Sequence, residues 1–185
     1  DFPLAIPDLK ELGKTHEVGP ILANVVRRDL QMSGWFKVMD SDAFLEDPQE
    51  SGLRTGEFNM DDWRTLDAAG LVKAGYEVFG KTISAEVRVY HVTDGTMILG
   101  DVIDGDVADP QALGHRLADL VIEAFTGEKG PFSGNVVCVA DLTGNKEIYL
   151  VDFSGRASAL TRNGHINLSP AVNPGRSKVA YTSYK

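Results

Sequence analysis

The chain has 185 residues, of which 43% are apolar and 24% charged, enough for a packed core and unlike an intrinsically disordered protein. It carries 18 basic and 27 acidic side chains and a net charge of −9, so it is poorly suited to bind nucleic acid or an anionic membrane through phosphate contacts. Its single cysteine, Cys138, excludes an internal disulfide and is predicted to be a buried core residue.

The chain begins with a strand-like segment and a helix. Residues 2–9 are apolar and contain two prolines, which favours an edge or leading strand. Over residues 16–33, apolar side chains recur at helical spacing, which predicts a helix. Arg27, Arg28 and Asp29 are expected on the opposite side of that helix, away from the core.

The next segments are short. Residues 36–40 predict a strand, and residues 41–59, rich in acidic and small side chains, predict a loop. A short helix is expected to follow, with Asn59 as its N-cap. Residues 71–80 then predict another strand.

A hairpin and a long helix complete this part. Alternating apolar and polar residues in 81–92 predict a half-buried strand, and Asp94-Gly95 is a strong turn signal before a return strand. Asp109, Pro110 and Gly127 are placed to begin and end a helix with one apolar stripe.

The order β-α-β-α-β-β-β-α predicts a two-layer α/β (α+β) domain with a mixed sheet over residues 1–130. After a glycine-rich linker, residues 131–185 contain only strand and turn patterns. Val137 and Val179 begin similar strands about 42 residues apart, the period of propeller blades.

The polar residues of the sequence predict no catalytic, phosphate-binding or zinc site. The sequence has no G-x-S-x-G or phosphate-binding loop, and Ser133 and Ser154 are expected in turns. The histidines do not occur at zinc-ligand spacing, so no zinc site is predicted. These histidines are His16, His91, His115 and His165.

An acidic stretch leaves two interpretations open. Asp101, Asp104, Asp106 and Asp109 lie close together but do not follow the EF-hand order, so an acidic turn is favoured over a metal site. His115 is expected to flank its helix and bond to a loop.

The two tryptophans, Trp35 and Trp63, are expected to pack in the core or at its rim. No cofactor is predicted. No apolar run is long enough for a membrane span, so no membrane insertion is expected. The lack of a signal peptide leaves a processed periplasmic product and a cytosolic protein both open.

The order of segments resembles the TolB family. The residues that carry the resemblance are Asp29-Leu30, Ser33-Gly34, Phe36 and Asp40; Asp62-Trp63, Leu66, Leu71-Val72 and Gly75; Ala112, His115, Asp119 and residues 126–132; and residues 149–152, Gly155, Leu160-Thr161 and residues 168–171. They cover nearly the whole chain. Residues 169–176 lack the tryptophan and the Asp-Gly pair that the family repeat usually has.

This resemblance implies an N-terminal domain similar to anticodon-binding domains, followed by the start of a truncated β-propeller. It implies a non-enzymatic periplasmic adaptor of the Tol–Pal system, which supports outer-membrane integrity and division constriction and can serve colicin import. Its expected partners are a Pal-like lipoprotein and a TolA-like inner-membrane protein, with no nucleic acid. The partner-contacting residues are not identified.

Two expectations concern the chain ends, and two other functions stay open. The family's TolA-contacting segment would lie before Phe2, and further repeats would follow Lys185. The alternatives are part of a propeller-linked serine peptidase or hydrolase, and a small binding module of anticodon-binding type. A G-x-S-x-G further along the gene would favour the peptidase.

Overall fold

The computed structural model describes residues 2–14 and 17–185, so the predicted start of the first helix and His16 lie outside the described residues. The chain divides into two compact units. Unit 1 is Asp1–Pro131 and unit 2 is Phe132–Lys185.

The described residues of unit 1 form six strands and three α-helices. In chain order they are β1 (Phe2–Ala5), β2 (Lys10–Glu11), α1 (Val18–Met32), β3 (Phe36–Val38), a single 3₁₀ turn (Ser41–Ala43), α2 (Met60–Thr65), β4 (Gly70–Phe79), β5 (Thr82–His91), β6 (Met97–Asp106) and α3 (Pro110–Thr126). The predicted α+β order with a mixed sheet is therefore confirmed.

The sheet has the order β3-β1-β4-β5-β6, with β2 also beside β4. β1 runs parallel to β3 and β4, whereas β4, β5 and β6 form an antiparallel meander. The segment was predicted as an edge or leading strand; β1 is the leading strand, but it is not at the edge, because β3 and β4 flank it. Pro3 is tolerated there because β4 joins only at Leu4, and the Pro3 carbonyl still accepts from the Ala69 N–H at 2.9 Å.

The helix caps explain why the long helix begins and ends as predicted. Asp109 accepts a hydrogen bond from the Ala112 N–H at 3.3 Å, Pro110 occupies the first turn, and Gly127 has a φ of 75°. Asn59 likewise caps α2 by accepting from the Asp61 N–H at 3.2 Å.

Helices α1 and α3 cover the inner face of the sheet. The predicted alternation in β5 holds, with Ile83, Ala85, Val87 and Val89 buried towards this face. The polarity prediction for α1, in which Ile21 belongs to the apolar side and Asp29 to the polar side, was wrong at these two positions. Ile21 is 39% exposed, whereas Asp29 is buried.

The outer face of the sheet is partly covered by the segment between β3 and β4. Its centre is Trp63 of α2, which packs on Leu71 and Tyr90 and meets the Phe44 ring at 5.0 Å between centroids. Towards the β4–β5 turn this cover ends. Phe79 and Val102 are more than half exposed.

Aromatic rings close one end of unit 1. Phe2, Phe36 and Phe125 lie 5.0–5.9 Å apart, and His91 lies 5.4 Å from Phe125. Gly70 passes beneath them, where a Cβ atom would come within 2.7 Å of two of these rings. The glycine is needed for this close approach.

Unit 2 contains only strands. They are β7 (Asn135–Ala140), β8 (Glu147–Asp152), β9 (Ala157–Ala159), β10 (Ile166–Val172) and β11 (Val179–Tyr184). The first three form an antiparallel sheet and the last two a hairpin. β10 was not predicted as a strand. Pro170 weakens the strand pattern of this segment in the sequence. In the structure, its pairing with β11 shifts register after Leu168.

Candidate functional site

The three described histidines lie in different surroundings. His91 is part of the aromatic end of unit 1, and His165 is exposed in a turn of unit 2. His115 is buried, with its Nδ1 2.5 Å from Asp29 Oδ2. His115 was predicted to flank its helix, but it is buried, and this contact joins it to α1.

The Asp29–His115 contact joins α1 to α3 inside the helix layer. The second carboxylate oxygen of Asp29 accepts from Arg28 Nη2 at 3.0 Å. The side chains of Asp29 and His115 are 1% and 4% exposed. A carboxylate buried this far is stabilised by its hydrogen-bond donors, so we assign the pair a structural role in holding the two helices together.

The four neighbouring aspartates do not converge. Asp101 accepts from the Val102 N–H at 2.8 Å, Asp106 from the Ala108 N–H at 2.9 Å, and Asp109 caps α3. Asp101, Asp104 and Asp106 lie on strand β6, so the prediction of an acidic turn was wrong in placing them. Across residues 2–14 and 17–185, no three His, Cys, Asp or Glu side chains are grouped as metal ligands would be.

The remaining predicted residues divide between core and surface. Cys138 was predicted to be buried in the core, but it is only half-buried. Ser133 and Ser154 lie in turns, as predicted. Trp63 is a core residue, 1% exposed. Trp35 is 59% exposed, too open for a ring that seals the core.

Sequence reasoning missed a buried polar cluster on the outer face of the sheet, formed by Glu46, Ser51 and Lys73. The Lys73 ammonium contacts Glu46 Oε1 and lies 2.8 Å from Ser51 Oγ, which donates to Glu46 Oε1 at 2.5 Å. Lys73 Nζ also lies 5.1 Å from the centre of the Phe58 ring. The cluster ties the 41–59 segment to β4.

The chemistry of this cluster favours anchoring over nucleophilic catalysis. Burial lowers the pKa of Lys73, while the Glu46 carboxylate opposes that effect. A serine nucleophile would need Lys73 as a neutral base, but the contact with Glu46 stabilises the charged ammonium. The Ser51–Lys73 pair is therefore read as part of an ion-pair anchor.

A groove of about 500 Å³ opens beside this cluster. Its lining residues are Lys10, Leu12, Glu50, Gly52, Leu53, Arg54, Glu57 and Glu86. Both signs of charge face the space, and five of the eight lining residues are charged. Drug-like ligands favour apolar, enclosed sites, so this groove better suits a polar, extended segment of protein.

The groove wall is held by its own hydrogen bonds. Glu57 Oε2 accepts from the backbone N–H groups of Leu53 and Arg54 at 3.1 and 3.0 Å. The bond from Arg54 is the main cause that lowers the pKa of Glu57. Beneath the loop, the buried Tyr90 hydroxyl donates to the Leu53 carbonyl at 2.7 Å. The wall is thus fixed before any partner arrives.

Unit 2 contains a second buried polar network, centred on Glu147. One carboxylate oxygen contacts Thr161 Oγ1 and accepts from Asn167 Nδ2 at 2.8 Å. The other accepts from the backbone N–H groups of Asn163 and Gly164, each at 3.1 Å. Four donors therefore surround one carboxylate, which links β8 to the turn before β10.

The Glu147 network predicts an acid-dependent loss of stability in unit 2. The Thr161 hydroxyl is the largest cause that lowers the pKa of Glu147 below its ordinary value of 4.5. The stability it contributes is complete above pH 4.5 and is lost as the pH falls through the lower folded-state pKa. We expect Glu147→Gln to flatten this decline below pH 4.5.

Thermal unfolding followed by circular dichroism would measure the effect. Both tryptophans lie in unit 1, so their fluorescence provides an internal control for that unit. Asp141→Asn, which removes an exposed carboxylate of unit 2, is the matched variant and should retain the wild-type acid dependence. An unchanged acid slope in Glu147→Gln would contradict the assignment.

Comparisons with known proteins match this chain to one family. A family model described as the TolB amino-terminal domain matches residues 1–98. A protein named Tol-Pal system protein TolB from Geobacter sulfurreducens is 36% identical over 177 residues, which is 94% of this chain and 40% of the relative. Another protein of that name, from Syntrophotalea carbinolica, is 35% identical over 85% of this chain and 37% of its own length. The chain thus spans about two fifths of the length of these curated relatives.

A solved structure shows the same fold. The crystal structure of TolB from Acinetobacter baumannii matches with a TM-score of 0.79 at 21% identity, over 99% of this chain and 44% of that one. At this identity the likeness concerns the fold alone. No helix within residues 2–14 and 17–185 has the length and apolar character of a membrane span.

Proposed function

Because the chain belongs to the TolB family, we propose that it is part of a non-enzymatic adaptor in a Tol–Pal cell-envelope system. The observation that carries this proposal is the alignment with relatives named Tol-Pal system protein TolB over up to 94% of the chain. The side chains of the buried polar clusters are engaged in holding the fold together. This structural role favours binding over catalysis as the function. An adaptor of this kind would support outer-membrane integrity and division constriction, and would give colicins a route of import.

We propose the periplasm as its location and proteins as its partners. A Pal-like lipoprotein and a TolA-like inner-membrane protein are the partners that the family membership suggests. The net charge of −9 favours basic protein surfaces over nucleic acid. The polar groove of unit 1 is a suitable surface for such contacts.

We also propose that unit 2 begins a β-propeller and that unit 1 is the TolB-like N-terminal domain, with a fold similar to anticodon-binding domains. The all-β content of unit 2 supports the first part. Val137-Cys138-Val139 in β7 and Val179-Ala180-Tyr181 in β11 are similar and lie about 42 residues apart. In this interpretation the β10–β11 hairpin belongs to a second blade.

Affinity purification tests the proposed function. The tagged protein, as encoded by its gene, should co-purify with the Pal-like lipoprotein from its own cells after gentle lysis. A tagged periplasmic protein of similar acidity serves as the control and should not retain Pal. Failure to recover Pal, under conditions that preserve the complex in related bacteria, would count against the adaptor function.

A further inference from the structure

The two edges of the unit 1 sheet differ in length and protection. At one edge, β3 has three residues, and its Val38 N–H is satisfied by Gln31 Oε1 at 3.0 Å. At the other edge, β6 has ten residues and is paired on one side only, with β5. Long unpaired edges can accept a further strand, and most proteins limit their length or cover them.

Hydrogen bonds show which backbone groups of β6 face outwards. The Val102 N–H is occupied by the Asp101 side chain at 2.8 Å, and the Asp104 carbonyl accepts from Arg116 Nη1 at 2.7 Å. Val102 and Asp104 therefore point their backbone groups away from β5. Gly100 lies two residues before Val102, so its backbone groups also point away from β5. Farther along the strand, the Asp106 carbonyl accepts from the Asp109 N–H at 3.0 Å.

The side chains of β6 give this edge a negative charge. Asp101, Asp104 and Asp106 lie on the strand, which contains no lysine or arginine. Two guanidinium groups lie near β6: Arg88, on the outer face, is paired with Glu86, and Arg116 of α3 is bonded to the Asp104 carbonyl. Val102, 57% exposed, adds an apolar contact between the acidic positions.

We propose that the β6 edge binds an extended segment of another protein that carries Lys or Arg at alternate positions. The segment would add to the sheet as a further strand, with backbone hydrogen bonds to Gly100, Val102 and Asp104. Asp101 would release the Val102 N–H, and Arg116 would release the Asp104 carbonyl. Asp104 and Asp106, which share one face of β6, would pair with the basic side chains of the incoming strand. A second copy of this chain fits less well, because it would bring a second set of aspartates to the same edge.

This binding would not depend on a Tol–Pal function, because it follows from the strand edge and its charge. A chain that fails to retain Pal could still bind a basic strand, and the reverse also holds. The two proposals can therefore fail separately.

The test compares Val102→Pro with Val102→Ala. Proline removes the outward N–H and places its ring where the new strand must approach, while the bonds to β5 are kept. Alanine keeps the N–H and removes similar apolar surface. Circular dichroism and the fluorescence of Trp63 and Trp35 would verify that both variants fold.

The probe is an array of immobilised ten-residue peptides in which Lys or Arg alternates with Val, Thr, Ile or Tyr. A matched array carries Glu at the basic positions. We expect wild type and Val102→Ala to bind members of the basic array, and Val102→Pro to bind at least about tenfold more weakly. Combined Asp104→Asn and Asp106→Asn substitutions, on the face that would meet the basic side chains, should weaken binding and reduce its salt dependence.

Several outcomes would overturn the proposal. They are no retention by any basic peptide, equal binding to the acidic array, and full binding by Val102→Pro. Wild-type dimerisation that Val102→Pro abolishes, seen by analytical ultracentrifugation, would assign the edge to a second copy instead.

Discussion

Replacing Glu46 with Gln should lower the free energy of unfolding of unit 1 by about 3–5 kcal/mol, because it leaves the Lys73 ammonium buried without a counter-charge. Instead of remaining charged, the buried ammonium can lose its proton. Its ordinary pKa is 10.5, and deprotonation costs about 1.36 kcal/mol for each pH unit below that value. At pH 7 the loss of stability therefore cannot exceed about 5 kcal/mol. Urea denaturation followed by tryptophan fluorescence would measure the loss.

The control for this prediction is the double variant Glu46→Leu with Lys73→Met, which replaces both charges by apolar groups. It should recover most of the stability, because buried ion pairs are often close to neutral relative to well-packed apolar residues. The deficit of Glu46→Gln should also shrink between pH 7 and about pH 9, where the folded state releases the Lys73 proton before the unfolded state does.

A loss below about 1 kcal/mol in Glu46→Gln would contradict a buried, charge-dependent anchor. So would a double variant as unstable as the sum of the two single variants, since the Glu46–Lys73 contact should make their effects non-additive.

Replacing Trp63 with Ala should cost about 3–5 kcal/mol, because it opens a cavity in the cluster that covers the outer face of the sheet. Trp63→Phe should cost much less than Trp63→Ala. Phenylalanine keeps most of the contact with Phe44, Leu71 and Tyr90. It also removes an indole N–H that is buried and has no hydrogen-bond partner among the described residues.

Urea denaturation followed by circular dichroism suits this comparison, because both substitutions remove one of the two fluorescent side chains. The exposed Trp35→Ala variant is the matched control and should change stability little. If Trp63→Phe is as damaging as Trp63→Ala, the indole N–H has a partner that stabilises it, and the interpretation of this cluster is wrong.

The elements that the sequence predicted well are those with local signals. α3 has its capping aspartate, its proline and its terminal glycine within one segment. β5 shows strict alternation, and Asn59 marks the start of α2. Each of these features depends on neighbours in the chain, so no knowledge of the tertiary fold is needed.

The features that the sequence did not predict depend on distant partners. Asp29 and His115 are 86 residues apart. Asp29 was predicted to lie away from the core, and His115 to flank its helix and bond to a loop. A local signal did exist, because Asp29 continues the helical spacing of Val25 and Val26. Lys73 and Glu46 had no such signal, since a lysine within a strand is normally exposed.

The position of β1 has a consequence for the order of folding. This strand is the first in the chain, yet its neighbours are Phe36–Val38 on one side and the start of β4 on the other. During synthesis it can pair with β3 early, but the side that meets β4 stays open until Leu71 has emerged. We therefore expect closure of the sheet around β1 to be a late step, whose rate depends on long-range chain closure more than on helix formation.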